Sequence, residues 1–269
     1  MGKQFGQVVT DIDAATITSD EVGYLKERVL KHGLVILKNQ NMSVKTMEVF
    51  TSAFGVPTRL SDLMAPEEHE VGSDCVVRVS NILPNGDIIP NRYATTQDWH
   101  TDGDIWESPK HCVWNMLYGV RVPSVGGATA FADCHDAYLA LTPEQKKRIT
   151  GKKMIVDFSA LPNMGDAKLP VVKHDMLTTH LLTGKPHLYV SGPVTSVQME
   201  GYSKNESFAE LTYWHQYITR PENMHVHQWT ARDLIIWDNL TTMHRPLGDY
   251  GNEPRLLYKT QARITSRKG

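Results

Sequence analysis

The sequence has few cysteines and no long apolar run. Its 269 residues include three cysteines, none of them in a CxxC pair, and so sparse and odd a count argues against a disulfide scaffold and fits a reducing compartment. No apolar stretch approaches the length of a transmembrane helix, and the first residues lack the apolar run of a secretory signal. These absences predict a soluble, cytoplasmic protein.

The charge has no dominant sign. There are 28 basic and 30 acidic residues, which gives a formal net charge of −2. Nucleic-acid binders and membrane-surface proteins carry basic stripes or patches, so we expect neither nucleic acid nor a membrane as a partner. Hydrophobic residues make up 41% of the chain, enough for a large core. No repeat or long linker divides the sequence, and residues 1–269 are predicted to form a single domain.

Helix signals are few. N-cap residues are followed by helical periodicity at four places, which begin at Thr18, Ser43, Thr142 and Ser203. The first two helices are expected to end at Gly33 and Gly55, and the last to run to about His215. Most of the chain therefore shows no helix signal.

Strand-like segments dominate from residue 75 onward, after one short apolar run at Leu34–Leu37. Segments rich in β-branched and aromatic residues are predicted as strands at Cys75–Val79, Cys112–Val122, Lys153–Phe158, His187–Val190, Met224–Trp229, Leu234–Trp237 and Leu256–Ala262. Many short strands with few helices favour a β-sandwich or barrel over alternating βαβ units.

A His-x-Asp pair, His100 and Asp102, has the spacing of two metal ligands. On an extended segment the side chains alternate with period 2, so the imidazole and the carboxylate share one face. A distant second histidine would complete a facial triad with open coordination positions. The pair alone is not specific, because 12 histidines and 30 acidic residues among 269 make one such pair expected by chance. A loop histidine beside a carboxylate, with no metal, stays an open interpretation of the pair.

Four spaced motifs resemble the taurine dioxygenase-like family of iron(II)/2-oxoglutarate oxygenases. They are Trp99-His100-Thr101-Asp102, Val122–Thr129 with its Pro-Ser-x-Gly-Gly-x-Thr pattern, Asp233–Asn239 followed by His244, and Arg255. The likeness runs from Val35 to the end of the chain, with the motifs in the family's order. The resemblance implies a mainly β (α+β) fold, a double-stranded β-helix (jelly-roll) with helices packed on one side.

The resemblance also implies roles for five side chains. His100, Asp102 and His244 resemble the iron ligands, while Arg255 and Thr129 resemble the residues that hold the distal carboxylate of 2-oxoglutarate. A guanidinium suits that task because it binds a carboxylate bidentately. The implied cofactor is Fe(II), with 2-oxoglutarate and dioxygen as cosubstrates. The implied reaction releases succinate and CO2 while a C–H bond is hydroxylated, desaturated or cyclised. A surface arginine and an ordinary strand threonine remain the alternatives for Arg255 and Thr129.

Lys259 is the strongest candidate for substrate binding. By strand alternation it shares a face with Arg255, and in taurine dioxygenase the residue four positions after the 2-oxoglutarate arginine reads the substrate sulfonate. Lysine keeps the charge of that arginine but loses its planar fork, so we expect a small anionic substrate, a carboxylate rather than a sulfonate. Lys259 pointing outward or pairing with a neighbouring acid is the alternative. Asn81 and Arg92 are weaker substrate-binding candidates.

Several further expectations complete the prediction. The segments Ser61–Asp74 and Pro162–Asp175 mix polar residues with Met, Pro and Gly, which is typical of mobile lids, and are predicted to lie over the pocket mouth. His225 and His227 also have metal-like spacing but are expected to pack or lie at a sheet edge. Relatives are often dimers or tetramers, so a homo-oligomer is expected.

Two other function classes compete with the oxygenase. One is a jelly-roll enzyme that uses zinc or another divalent ion as a Lewis acid for hydrolysis or isomerisation. The other is a non-catalytic relative on an inherited fold. Only an oxygenase needs Arg255 and Thr129 for a cosubstrate, so the presence of both at the family spacing favours the oxygenase.

Overall fold

The structure is a computed structural model that describes residues 5–62, 68–70, 72–90, 92, 98–104, 113–157, 170–190 and 197–264. Within these ranges the α-helices are α1 (Ser19–His32), α2 (Val44–Phe54), α3 (Cys134–Leu139), α4 (Pro143–Ile149) and α5 (Lys204–Ile218). The strands in the same ranges are β1 (Gln7–Val9), β2 (Leu34–Leu37), β3 (Val56–Pro57), β4 (Val77–Ser80), β5 (Trp114–Arg121), β6 (Thr129–Asp133), β7 (Lys153–Val156), β8 (Val172–Asp175), β9 (Leu177–Thr179), β10 (Pro186–Leu188), β11 (Val197–Met199), β12 (Met224–His227), β13 (Leu234–Asp238), β14 (Thr242–Pro246) and β15 (Leu256–Arg263).

Local sequence signals set the helix boundaries. The Thr18 hydroxyl accepts a hydrogen bond from the Glu21 amide, and the Glu21 carboxylate accepts one from the Thr18 amide. This reciprocal box begins α1, and Gly33, at φ 76°, follows its last residue. The same kind of box begins α2, α4 and α5. The four predicted helices are therefore confirmed, while the short α3 was not predicted.

Two sheets face each other across the centre of the molecule. The larger sheet has the order β1-β2-β13-β5-β15-β3, with β4 also paired to β15, and the smaller has the order β12-β6-β14. Their facing sides are joined by a cluster of buried side chains, Leu34, Ile36, Leu117, Phe131, Trp229, Ile235, Trp237 and Leu257. The mainly β architecture is as predicted.

Alternation along β5 decides which side chains enter this interior. Trp114, Met116 and Tyr118 point to the helix-covered side of the large sheet, where they join the core formed with α1 and α2. Leu117 points to the opposite side, between the sheets, and Asn115 shares that side because the strand period is 2. Fully burying one large apolar side chain stabilises the fold by about 1.5–3 kcal/mol, so a one-residue slip of β5 would be strongly unfavourable.

Helices cover both outer faces rather than one. α1 and α2 pack on the large sheet, while α3, α4 and α5 pack around β7, β8 and β11 and against Ala132 and Met243 of the small sheet. The expectation of helices on one side is wrong, because the small sheet also has apolar residues on its outer face that need cover. None of the helices in the described ranges has the length and apolar character needed to cross a membrane.

One of the two predicted lid segments is partly a strand. Val172–Asp175 form β8, which pairs with β7 and has alternating buried and exposed residues. The prediction of a loop is wrong there, since burying Val172 and His174 requires the extended pairing. Residues 162–169 lie outside the described residues. In the other predicted lid, Ser61–Asp74, residues 63–67 and 71 also lie outside them.

Candidate active site

The structure places His100 and His244 directly opposite each other. The His100 amide donates to the His244 carbonyl at 3.1 Å, and the His244 amide donates to the His100 carbonyl at 2.8 Å. This reciprocal pair is the hydrogen-bonded arrangement of antiparallel strands, and it leaves the ring centroids 4.2 Å apart. Backbone pairing therefore brings together two histidines that are remote in sequence.

Asp102 completes a cluster with the two histidines. Its Oδ1 lies 3.7 Å from His100 Nε2, and its Oδ2 lies 3.7 Å from His244 Nε2. One ligand atom from each of the three side chains can be chosen so that all lie within 4.8 Å of one another. Two imidazoles and one carboxylate form the donor set of a facial triad, so the residues present fit a divalent transition metal such as iron(II).

The protonation states in this cluster suit metal binding. Burial lowers the pKa of both His100 and His244 below 6.5. Burial alone would raise the pKa of Asp102, but the charge of Lys259, joined at low pH by the protonated forms of His244 and His100, outweighs that effect and holds the pKa well below 3.8. The His100 Nδ1–H donates to the Asp98 carbonyl at 2.8 Å, which leaves Nε2 unprotonated. The site therefore presents neutral imidazoles and an ionised carboxylate, the forms that bind metals.

Two asparagines position Asp102. Asn239 grips its main chain, since its Oδ1 accepts from the Asp102 amide at 3.1 Å and its Nδ2 donates to the Asp102 carbonyl at 2.8 Å. Asn115 Nδ2 donates to Asp102 Oδ2 at 2.6 Å and to Asn239 Oδ1 at 3.0 Å. These four bonds fix both the loop and the carboxylate group, as outer partners of metal ligands commonly do.

Arg255 and Thr129 meet inside the molecule, where Thr129 pairs with Pro246, two residues after His244. The Arg255 side chain is buried, with only 3% of its surface exposed. Its Nε donates to the Gly127 carbonyl at 3.1 Å and its Nη2 reaches Thr129 Oγ1 at 3.5 Å. Trp229 Nε1 donates to Thr129 Oγ1 at 3.0 Å, which leaves the hydroxyl proton of Thr129 able to donate to a bound group. A buried guanidinium beside a hydroxyl donor suits an anionic carboxylate.

The glycine pair before Thr129 allows the backbone to approach Arg255. Gly126 and Gly127 have φ values of 74° and 68°, which L-residues with a side chain rarely adopt. A Cβ on Gly126 would lie 2.3 Å from Asp249 Oδ1, and one on Gly127 would lie 2.7 Å from Pro123 Cγ. Glycine at both positions therefore places the Gly127 carbonyl against the guanidinium.

Lys259 contacts the cluster formed by His100, Asp102 and His244 instead of pointing outward. Its Nζ is 2.7 Å from Asp102 Oδ2, and both side chains are largely buried. On the same strand Leu257 also faces the interior between the sheets, and Arg255, immediately before the strand begins, is buried as well. The neighbouring acid that the sequence left as an alternative partner is thus the carboxylate of the candidate metal site.

Asn81 binds main-chain groups at and near Arg255, whereas Arg92 binds one main-chain carbonyl and lies close to a carboxylate. Asn81 Oδ1 accepts from the Arg255 amide at 2.7 Å, and its Nδ2 donates to the Glu253 carbonyl at 2.9 Å. Arg92 Nη1 donates to the Ser80 carbonyl at 3.3 Å, and its Nη2 lies 3.6 Å from Glu68. In these contacts Asn81 holds the segment that leads into β15 and carries Arg255. A direct substrate contact for either residue stays a prediction.

His225 and His227 do not belong to the cluster of His100, Asp102 and His244. Both belong to β12, the edge strand of the small sheet beside β6. His227 Nε2 lies 3.0 Å from Asp233 Oδ2, and the two imidazole rings stack with centroids 6.3 Å apart. The metal-like spacing therefore reflects strand packing, as predicted.

Sequence reasoning missed the residues that support the site. Asn115 lies within a segment that the sequence predicts only as a strand, and Trp229 lies at the end of another predicted strand. Trp237, by contrast, belongs to the Asp233–Asn239 motif, and it packs on His244 with ring centroids 5.0 Å apart and on Phe131 at 5.4 Å. The one available signal was a polar residue, Asn115, at an inward position of an otherwise apolar strand, since a buried polar group needs a partner.

Comparisons with known proteins agree with this geometry. The chain matches the family model described as taurine catabolism dioxygenase TauD, TfdA family, over residues 1–261. It is 26% identical to an (S)-phenoxypropionate/alpha-ketoglutarate-dioxygenase from Delftia acidovorans, covering 91% of this chain and 87% of the relative. It is 27% identical to an alpha-ketoglutarate-dependent sulfate ester dioxygenase from Pseudomonas putida, covering 92% of this chain and 80% of the relative.

A solved structure shows the fold. The crystal structure of AAD-2 in complex with Mn(II) and N-oxalylglycine superimposes with a TM-score of 0.84 at 23% identity, covering 98% of this chain and 96% of that one. The predicted jelly-roll core is thereby confirmed. Because the family model spans nearly the whole sequence, the chain belongs to the taurine catabolism dioxygenase TauD, TfdA family and is a 2-oxoglutarate-dependent dioxygenase.

Proposed function

We propose that this dioxygenase works with an iron(II) ion held by His100, Asp102 and His244. The observation that carries the proposal is the convergence of these three side chains within 4.8 Å of one another, in protonation states that bind metals. When bound, iron(II) with 2-oxoglutarate and dioxygen would supply the oxidising power to attack a C–H bond, with release of succinate and CO2.

The protein's own side chains provide binding and orientation. Arg255 and Thr129 would hold the distal carboxylate of 2-oxoglutarate, the arginine through its charge and fork and the threonine through its hydroxyl proton. Asn115 and Asn239 would keep Asp102 in place while the metal and cosubstrate bind. Phe131 and Trp237, packed on and around His244, would keep water away from that side of the site.

An anaerobic titration tests the metal and cosubstrate assignment. Purified protein receives Fe(II) and then 2-oxoglutarate while visible absorbance is recorded, and we expect a weak charge-transfer band from the iron–2-oxoglutarate complex. The band should be absent in His100→Ala. It should persist in His225→Ala, a matched control in which the histidine belongs to the other closely spaced His pair.

Two outcomes would overturn the proposal. A band that survives in His100→Ala would mean that the metal binds elsewhere. Stable metal binding to the wild-type protein with neither a band nor succinate formation would instead favour the Lewis-acid hydrolase or isomerase.

We also propose that the substrate is a small molecule with an anionic group, and that Lys259 recognises this group. The lysine supports it because its ammonium lies inside the molecule at the metal cluster, 2.7 Å from Asp102. An ammonium has three donors, and one of them suffices for Asp102. The two curated relatives named above act on a phenoxypropionate and a sulfate ester, both anionic. We therefore expect activity in a panel of carboxylates, alkyl sulfates and sulfonates, read out as substrate-dependent succinate formation.

Substitution of Lys259 tests the substrate contact. A hydrogen bond to a charged group contributes about 1.5–3 kcal/mol, so Lys259→Met should lower kcat/KM for the anionic substrate roughly 10- to 100-fold. Lys259→Arg should retain part of the activity. The control Lys153→Met removes an exposed lysine that pairs with Asp175 at 3.1 Å and should leave kcat/KM unchanged.

The same variants separate substrate binding from support of the metal. If Lys259→Met weakens Fe(II) binding but leaves the KM of the anionic substrate unchanged, the lysine serves Asp102 alone. The proposed substrate contact would then be refuted.

A further inference from the structure

A buried histidine–carboxylate pair lies just outside the candidate metal site. His180 and Asp238 have 1% and 2% of their surfaces exposed, and His180 Nε2 lies 3.2 Å from Asp238 Oδ1 and 3.1 Å from Oδ2. His180 begins the turn between β9 and β10, where its amide donates to the Lys185 carbonyl and its carbonyl accepts from the Gly184 amide, each at 2.9 Å. The pair thus joins this hairpin to the end of β13.

The hairpin turn dictates how His180 is protonated. The amides of Leu182 and Thr183 both donate to His180 Nδ1 at 3.1 Å. A nitrogen that accepts two hydrogen bonds carries no proton, so the proton of the neutral ring lies on Nε2. His180 is therefore a fixed donor aimed at Asp238.

Asp238 uses this donor together with two others to shape the connection between β13 and β14. Its Oδ1 also accepts from the Leu240 amide at 3.0 Å, and its Oδ2 accepts from the Thr241 hydroxyl at 2.7 Å. The carboxylate of the residue before Asn239 thus holds the two residues that follow Asn239. A buried carboxylate is stable only when such donors satisfy it.

The shaped connection carries two contacts to the metal site. Asn239 makes both main-chain hydrogen bonds to Asp102, and β14, which begins right after Thr241, carries His244. A shift of the connection would move the carboxylate and the second imidazole together.

We propose that His180 is a positioning residue for the metal centre, acting through Asp238 and Asn239 on Asp102 and His244. It touches neither the metal nor a substrate. The inference rests on the proposed iron site, and it assigns to the β9–β10 hairpin a part in holding that site. Removing the donor leaves the buried Asp238 carboxylate short of a partner, and the connection then relaxes away from the geometry that metal binding requires.

Metal affinity of the apo protein tests the proposal without relying on turnover. Mn(II) is titrated into wild type, His180→Ala, His180→Gln and Asp238→Asn, with free Mn(II) measured by electron paramagnetic resonance. Loss of an outer partner of a metal ligand typically costs 10- to 100-fold in affinity, and we expect that loss in His180→Ala and Asp238→Asn. His180→Gln keeps an N–H donor and should recover much of the affinity.

A second buried pair at the other end of β13 provides a matched control. His227 Nε2 lies 3.0 Å from Asp233 Oδ2, and Asp233 immediately precedes β13. His227→Ala removes a similar buried pair without touching the Asn239 connection. It should lower thermal stability while leaving Mn(II) affinity at the wild-type value.

The outcomes distinguish this proposal from the proposed function. If wild type binds no Mn(II), the metal site itself fails. If wild type binds Mn(II) and both His180→Ala and Asp238→Asn bind it equally well, the positioning role is refuted. Should His180→Ala not fold, Asp238→Asn and His180→Gln decide the question, and equal losses in His180→Ala and His227→Ala would indicate general destabilisation instead.

Discussion

Arg255→Gln gives the most direct test of cosubstrate binding. Arg255 is 3% exposed, so it would bind the distal carboxylate of 2-oxoglutarate away from solvent, through two charge-assisted hydrogen bonds. At about 1.5–3 kcal/mol for each, their loss corresponds to a rise in the Kd of 2-oxoglutarate of roughly 10²- to 10⁴-fold. Arg255→Lys keeps the charge but not the fork or the bond to Gly127, and should cost roughly 10- to 100-fold.

The assay is the anaerobic charge-transfer titration, since it measures 2-oxoglutarate binding before a substrate is known. At saturating 2-oxoglutarate the band should regain its wild-type intensity in Arg255→Gln, because the arginine holds the end of the molecule away from the metal. Arg263→Gln, at the exposed last residue of β15, is the control and should bind 2-oxoglutarate normally. If Arg255→Gln binds 2-oxoglutarate as tightly as wild type, the assignment of the arginine is wrong.

Three further predictions concern metal binding and stability. Asn115→Leu removes the amide that holds Asp102 Oδ2, and should weaken Mn(II) binding about 10- to 100-fold in the apo-protein titration, so an unchanged Kd would contradict the supporting role. Burial, opposed by Asp238 and aided by nearby histidines, lowers the pKa of His187 to about 4 from 6.5. Because the unfolded chain then takes up the proton first, the free energy of unfolding should fall as the pH drops from 6.5 towards 4, by up to about 3 kcal/mol from this residue, and urea titrations of His187→Gln should show a shallower fall than wild type. Thr18→Ala removes the cap of α1 and should cost about 1 kcal/mol in the same urea assay, whereas an unchanged midpoint would show that the box contributes nothing.

Local signals predicted the pieces that depend on neighbouring residues. The capping boxes at Thr18, Thr142 and Ser203 are confirmed because a cap needs only the next three residues. The apolar strands β2, β5 and β13 are also confirmed, since their side chains are buried on both faces or alternate clearly. The two strands of the small sheet that carry Thr129 and His244 were missed. Four of the five residues of β6 are small or polar, and β14 contains His, Arg and Pro, so neither has the composition of a strand by itself.

The sequence alone determined which residue types are present for chemistry: two histidines, a carboxylate, an arginine and a threonine at family spacing. Only the tertiary structure decided that His100 and His244 pair through their backbones, that Lys259 meets Asp102, and that Asn115, Asn239 and His180 surround the site. These contacts join segments far apart in the chain, and they depend on strand register and on hydrogen bonds made after the two sheets pack. Composition and short-range periodicity do not reveal the strand register or these long-range hydrogen bonds.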